Sequence, residues 1–338
     1  MATEAAMAQG WTRRDFLKAL AGGAVLASSV SLGYRLSRPR LQAETLITKV
    51  DRYESEIASV IGRGFFALGI TPQDIKGKRI LLKPNLVETD SGAIHINTHP
   101  LVIRGSVEAF LRFGAARVMV AEGPGHRRDT LDVLEESGLA DVLYEDRIPF
   151  VDLNYLTGHT VPNVGRMTRL RTLTFPGLFQ EVDWIVSVAK LKTHHWAGVT
   201  LSMKNLFGVM PGIYYGWPKN VLHHAGIENS ILDINATLRP HFAIVDGIIG
   251  MEGDGPIMGN PRQAGVLVMG RNLPAVDATC ARIMGIDPHQ VRYLSQAEDW
   301  LGPISDTHIK QVGETIASVR TNFALIEGIP AHRGIRLA

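Results

Sequence analysis

Trp184-Ile185-Val186-Ser187-Val188-Ala189-Lys190-Leu191-Lys192-Thr193-His194-His195 is the stretch on which the fold turns. Its first five residues are apolar on successive positions, Ser187 excepted, as in a strand covered on both faces. Comparable short runs rich in Val, Ile or Leu recur at 79–82, 117–121, 150–153, 242–245 and 266–269. Between the first two lies an apolar pattern at helical spacing over 101–113, with Gly114 placed to cap it. This β–α–β succession predicts an α/β fold of three layers, a mainly parallel sheet with helices on both faces. A seam near residue 150 with no flexible linker predicts two closely associated lobes, 44–150 and 151–338.

The same stretch carries chemistry. If its strand ends near Val188, then Lys190, Lys192, His194 and His195 sit just beyond the carboxyl edge, where ligands bind in open α/β sheets. The run at 80–82 likewise ends in Lys83-Pro84-Asn85. That at 242–245 ends in Asp246-Gly247 and leads to Met251-Glu252-Gly253-Asp254-Gly255-Pro256. Downstream of the histidines comes Ser202-Met203-Lys204-Asn205-Leu206-Phe207-Gly208. A lysine after a strand is usually a solvated charge and Gly-Asp-Gly-Pro usually a turn, but their shared placement favours a cleft. In it Lys83, Asn85, Lys192, Lys204 and Asn205 are expected to hold a small anion, with His194 and Lys190 as catalytic groups.

Twelve histidines is a large number for this length, and His126, His194, His195, His223 and His224 lie in or beside polar or Gly-rich loops. A divalent metal on Asp246, Glu252 and His195 is therefore one expectation. Hydrogen-bonded, partly buried histidines are the alternative, and no His-Glu-x-x-His spacing supports a zinc protease. The loop 253–259 has spacing G-x-G-x-x-x-G rather than a dinucleotide fingerprint, and neither a phosphate-binding G-x-x-x-x-G-K-[ST] nor a G-x-S-x-G elbow occurs.

The N-terminus reads as an address. Thr12-Arg13-Arg14-Asp15-Phe16-Leu17-Lys18 fits the twin-arginine export signal. It precedes a mild apolar run at 19–32, too short for a permanent span, and then Arg35, Arg38 and Arg40. Leu41-Gln42-Ala43 offers a cleavage site, making 1–43 the signal peptide, or a membrane anchor if it is retained. The expected location is periplasmic, with the twin-arginine translocase as a transient partner. Removing the six Lys/Arg and two Asp/Glu of 1–43 takes the formal charge from +2 to −2, which leaves no bulk basicity for nucleic acid. The single cysteine, Cys280, forms no intramolecular disulfide and holds no iron–sulfur cluster alone. Its apolar helical setting marks a small buried hydrophobe.

Taken in order, Leu81-Leu82-Lys83-Pro84-Asn85-Leu86, Val188-Ala189-Lys190-Leu191-Lys192-Thr193-His194, Met203-Lys204-Asn205-Leu206-Phe207-Gly208 and Val245-Asp246-Gly247 with Met251-Glu252-Gly253-Asp254-Gly255-Pro256 resemble the domain of unknown function family 362 (DUF 362). The resemblance spans about 45–310, and Asp277 in Ala275-Val276-Asp277-Ala278 matches a further family motif. It implies an α/β domain often found with iron–sulfur ferredoxin modules, so an iron–sulfur partner protein is expected here in place of an intrinsic cluster. Ala121-Glu122-Gly123-Pro124-Gly125-His126-Arg127 is similar to a turn of the nickel-pincer lactate racemase family, which implies an acid–base role for His126. Two functional readings follow. One is a redox-associated or metal-assisted enzyme acting on an anionic ligand or cofactor. The other is a non-catalytic cofactor carrier or subunit of an iron–sulfur redox complex.

Overall fold

The computed structural model describes residues 42–338 except Ser55, Ser91, His126, Arg127 and Asp299. The export motif and His126 therefore lie outside the described residues. A nine-stranded sheet runs in the order β11-β1-β10-β9-β7-β2-β3-β4, with β8 paired to β7. The strands are β1 (Ala43–Lys49), β2 (Arg79–Lys83), β3 (Arg117–Glu122), β4 (Phe150–Asp152), β7 (Trp184–His194), β8 (Gly198–Thr200), β9 (Phe242–Glu252), β10 (Asn260–Gly270) and β11 (Ile309–Gly313). The block β4-β3-β2-β7-β9 is parallel throughout, while β10 runs antiparallel to both β9 and β1. A separate antiparallel ribbon joins β5 (Gly158–Pro162) to β6 (Thr172–Pro176).

Alternation along the strands builds two cores, one on each face. Ile80 and Leu82 of β2, Val186 and Val188 of β7, and Ile244 of β9 pack with α1 (Ile57–Ala67), α2 (Pro100–Arg112), α3 (Thr130–Glu136) and α4 (Leu139–Glu145). Leu81, Ile185, Ala189 and Val245 face the other way, toward α5 (Ser202–Asn205), α6 (Ile227–Leu238) and α7 (Leu273–Ile283). The sheet is thus a mainly parallel middle layer between two helical ones. Helix α2 occupies the expected position. Pro100 suits its first turn, the His99 ring accepts the Leu101 N–H, and Gly114 follows at φ +88°, in the left-handed region that glycine tolerates.

Two strands overrun their expected ends. β7 continues to His194 because β8 folds back on it, with Lys192 opposite Thr200, and because β9 still pairs there, Lys192 opposite Met251. β9 likewise carries Asp246 through Glu252 as strand. No helix among the described residues is long and apolar enough to cross a membrane.

Candidate functional site

Parity along the strands decides where each strand-end lysine goes. Lys83 stands two residues after Leu81 and so follows the face covered by α5. Lys190 stands two residues after Val188 and follows the opposite face. The register places Lys83 opposite Ser187 and Lys190 opposite Asp246, all at the carboxyl edge of the parallel block.

On the α5 side a cavity of about 520 Å³ opens at that edge. Its floor is a buried network. Lys83 Nζ lies 2.7 Å from Glu122 and donates to Asn205 Oδ1 at 2.8 Å. Asn205 also accepts from Asn85 Nδ2 and donates to the Lys83 carbonyl and to Ser187 Oγ. Glu122 takes the backbone N–H groups of Leu86 and Gly123 as well. A Cβ on Gly208 would overlap both Lys83 Nζ and Glu122 Oε1, so the final residue of Lys204-Asn205-Leu206-Phe207-Gly208 is dictated by the ion pair beneath it. Asp277 fixes this segment from below. Its carboxylate accepts the Ser202 and Met203 N–H groups and the Ser202 hydroxyl at the start of α5, the turn that projects Lys204 and Asn205. Burial raises the Asp277 pKa to about 7 against the pull of those donors.

The walls are richer in cations than in anions. Arg128 is matched by a two-pronged contact with Glu88. Lys219, buried at φ +66°, donates among the described residues to the neutral oxygens of Asn154 and Met210, and burial lowers its pKa to about 7. Lys204 lines the cavity with its Nζ 5.6 Å from the Phe207 ring centre and no hydrogen-bond acceptor among the described residues. Burial, then the Lys83 charge, lowers its pKa to about 8. His194 and His223 also line the cavity, and burial pushes both below the ordinary imidazole range.

Lys83, Asn85, Lys204, Asn205, His194 and His195 thus meet at one cavity, and other expected groups do not. Lys190 is sealed on the far face, 2.9 Å from Asp246, with Tyr53 donating to the same carboxylate at 3.0 Å and the His99 and Ile248 N–H groups completing it. Lys192 is buried between the carbonyls of Ile96 and Pro256, tying two rim loops together, and burial lowers its pKa strongly. The metal trio does not assemble. Asp246 is committed to Lys190, Glu252 accepts the Ala324 N–H and lies 3.7 Å from Arg262, and His195 lies 3.7 Å from Asp254. Among the described residues no group of three or more His, Cys, Asp or Glu is arranged to hold a metal ion. Cys280 is buried, and burial pushes its thiol pKa up.

Sequence reading missed Lys219 and Glu122 as site residues and named His223 only among the loop histidines. Glu122 had a signal, the last strand residue before Gly123-Pro124-Gly125. Lys219 had none, since it arrives from an irregular segment in a conformation that lysine seldom adopts.

Residues 80–282 match the sequence profile of a family described as "Domain of unknown function (DUF362)". A thylakoid-associated protein of Synechocystis sp. is 26% identical over 230 residues, 66% of this chain and 68% of that protein. Among solved structures, the lactate racemase apoprotein of Thermoanaerobacterium thermosaccharolyticum is similar at 16% identity and a TM-score of 0.41, over 73% of this chain and 59% of that one. A protein from Thermotoga maritima is similar at 16% identity and a TM-score of 0.38, over 69% of this chain and 59% of that one.

Proposed function

The chain belongs to the DUF362 family, and from that premise we propose that it binds a small anionic ligand in the cavity at the carboxyl edge of its sheet. The observation that carries this reading is the charge imbalance of the lining. Lys83 is matched by Glu122 and Arg128 by Glu88, and the third lining carboxylate, Asp254, lies 3.7 Å from His195, while among the described residues no carboxylate pairs with Lys204 or Lys219 on the same cavity. A buried cation and a half-buried one are expensive to hold alone, and an anion bound beside them offsets both. A volume of about 520 Å³ falls in the range of small-molecule sites.

The test is a set of thermal melts with inorganic phosphate, pyrophosphate and small carboxylates against chloride at equal ionic strength. A ligand at a hundred times its dissociation constant stabilises the native state by about 2.7 kcal/mol, so at least one of these anions should raise the melting temperature well beyond the salt control. Lys204→Ala should abolish most of that gain. Equal shifts in wild type and variant would sink the reading.

We further propose that the chain is exported folded to the periplasm by the twin-arginine route. Arg13→Lys with Arg14→Lys should hold it in the cytoplasm, and normal periplasmic levels of that variant would refute export by this route. The enzyme reading and the carrier reading part on one measurement: whether protein purified from its own periplasm turns over a ligand without an iron–sulfur partner.

A further inference from the structure

His194 and His223 both line the cavity, and backbone groups fix their tautomers in opposite senses. His194 Nδ1 accepts the N–H of Trp196 at 3.0 Å and that of Ala197 at 3.2 Å. An amide N–H can only donate, so Nδ1 carries no proton and the neutral ring must carry it on Nε2. His223 Nδ1 lies 3.0 Å from the Lys219 carbonyl oxygen. A carbonyl can only accept, so here Nδ1 carries the proton and Nε2 keeps its lone pair. The Pro218 carbonyl also lies beside the His223 ring, and His194 Nε2 has no hydrogen-bond partner among the described residues. Trp196 and Phe207 pack edge-on against His223, at 5.4 and 5.3 Å between ring centres, and hold its plane. One cavity therefore presents a neutral N–H donor, a neutral nitrogen base and cations in its walls. Trp196, Phe207, Ile257 and Met258 add an apolar wall.

We propose that the cavity enolises a 2-oxo acid, with His194 Nε2–H donating to the carbonyl oxygen and His223 Nε2 removing a proton from the adjacent carbon. This rests on the anion-binding reading, because Lys204 and Lys219 are what hold the carboxylate. The C3–H bond breaks and its proton passes to His223. The electron pair forms the C2–C3 double bond, and the carbonyl pair moves to oxygen as an enolate hydrogen-bonded to His194. Return of a proton from His223, exchanged with solvent at this half-buried ring, regenerates the acid. No oxidant or reductant is consumed. A neutral imidazole suits the donor role, since it polarises a carbonyl without first giving up a proton. The apolar wall suits an acid with a hydrocarbon or aromatic side chain.

The experiment uses the full chain with 2-oxobutanoate and phenylpyruvate in deuterium oxide. Loss of the C3–H signal is followed by NMR, and binding of the same acids by calorimetry. Wild type should accelerate exchange over buffer. His194→Asn keeps an acceptor near Nδ1 but removes the Nε2–H, and His223→Asn keeps the Nδ1-side donor but removes the base. Each should lower exchange by roughly a hundredfold with affinity changed only a few-fold. His194→Gln places an N–H near Nε2 and should recover part of the rate, whereas His223→Gln supplies no base and should not. A purely structural His194 predicts the reverse order, Asn tolerated and Gln harmful. Binding without exchange, or Asn variants that exchange like wild type, would overturn the proposal and leave the anion reading standing. Binding of phosphate but of neither oxo acid would also overturn it. Failure of every anion to bind would remove both.

Discussion

Lys190 and Lys204 lie near the same edge of the sheet, and the sequence around each looks alike: a lysine among apolar neighbours close to a polar loop. Around Lys190, Asp246 meets the ammonium, Tyr53 bonds to both groups, and backbone N–H groups fill the remaining carboxylate positions. Stacking of Tyr53 on His99, with ring centres 3.7 Å apart, closes the node to water. Around Lys204 there is a cavity, an aromatic face and other cations. The first cluster is complete without a ligand, and the second has surplus positive charge that something outside the chain can offset. A buried charge whose every partner lies inside the fold belongs to the architecture, while one that lacks a partner beside an open volume belongs to a binding site.

The sharpest way to break this comparison is to unbalance the complete cluster. Asp246→Ala leaves Lys190 buried and uncompensated and removes the acceptor for Tyr53 and two backbone N–H groups. The expected loss is about 3–5 kcal/mol of unfolding free energy, measured by denaturant titration. The double variant Lys190→Met, Asp246→Leu removes both charges and should recover most of that loss. In whatever fraction stays folded, the anion-dependent rise in melting temperature should persist, because neither residue lines the cavity. A variant that kept its stability but lost the anion response would invert the assignment of the two clusters.

This comparison also marks how far the sequence could be read. The runs at 79–82, 117–121, 242–245 and 266–269 announced strands because strands buried on both faces need continuous apolar sequence. Lys83, Asn85, Lys204 and Asn205 were found together because the carboxyl edge of a parallel sheet collects loops. What escaped was the side of the sheet. Whether Lys83 and Lys190 share a face depends on the register between β2 and β7, where Lys83 pairs with Ser187, and a one-residue slip would reverse the answer. Register is set by packing of the whole sheet, and the local run of residues does not contain it. The same limit hid the true end of β7, which is held as strand to His194 by pairing with segments far along the chain. Lys219 was illegible for another reason, its position resting on contacts with Asn154 and Met210 through an irregular loop.

The smallest expected effect is the most diagnostic, because its sign depends on whether the cavity is filled. Lys219 and Lys204 have folded pKa values lowered to about 7 and about 8 from 10.5, so above pH 7 the folded state binds fewer protons at these sites than the unfolded chain. Stability must then rise with pH in this window, by up to about 1.4 kcal/mol per pH unit for each group where its shift is fully felt. Asp277 does not mask the trend. Its pKa is raised to about 7, so the stability it withholds is lost between about pH 4 and pH 7 and is flat above. The raised thiol of Cys280 acts in the opposite direction only as the unfolded thiol ionises near pH 9. Between pH 7.5 and 8.5 in chloride, the melting temperature should therefore climb, by the equivalent of roughly 2 kcal/mol in all. With a saturating bound anion the slope should flatten or reverse, since the anion holds Lys204 and Lys219 protonated and its affinity falls as they lose their protons. Parallel pH profiles with and without phosphate would mean that the two lysines do not meet the anion. Crossing profiles would tie the surplus charge of this cavity to its ligand.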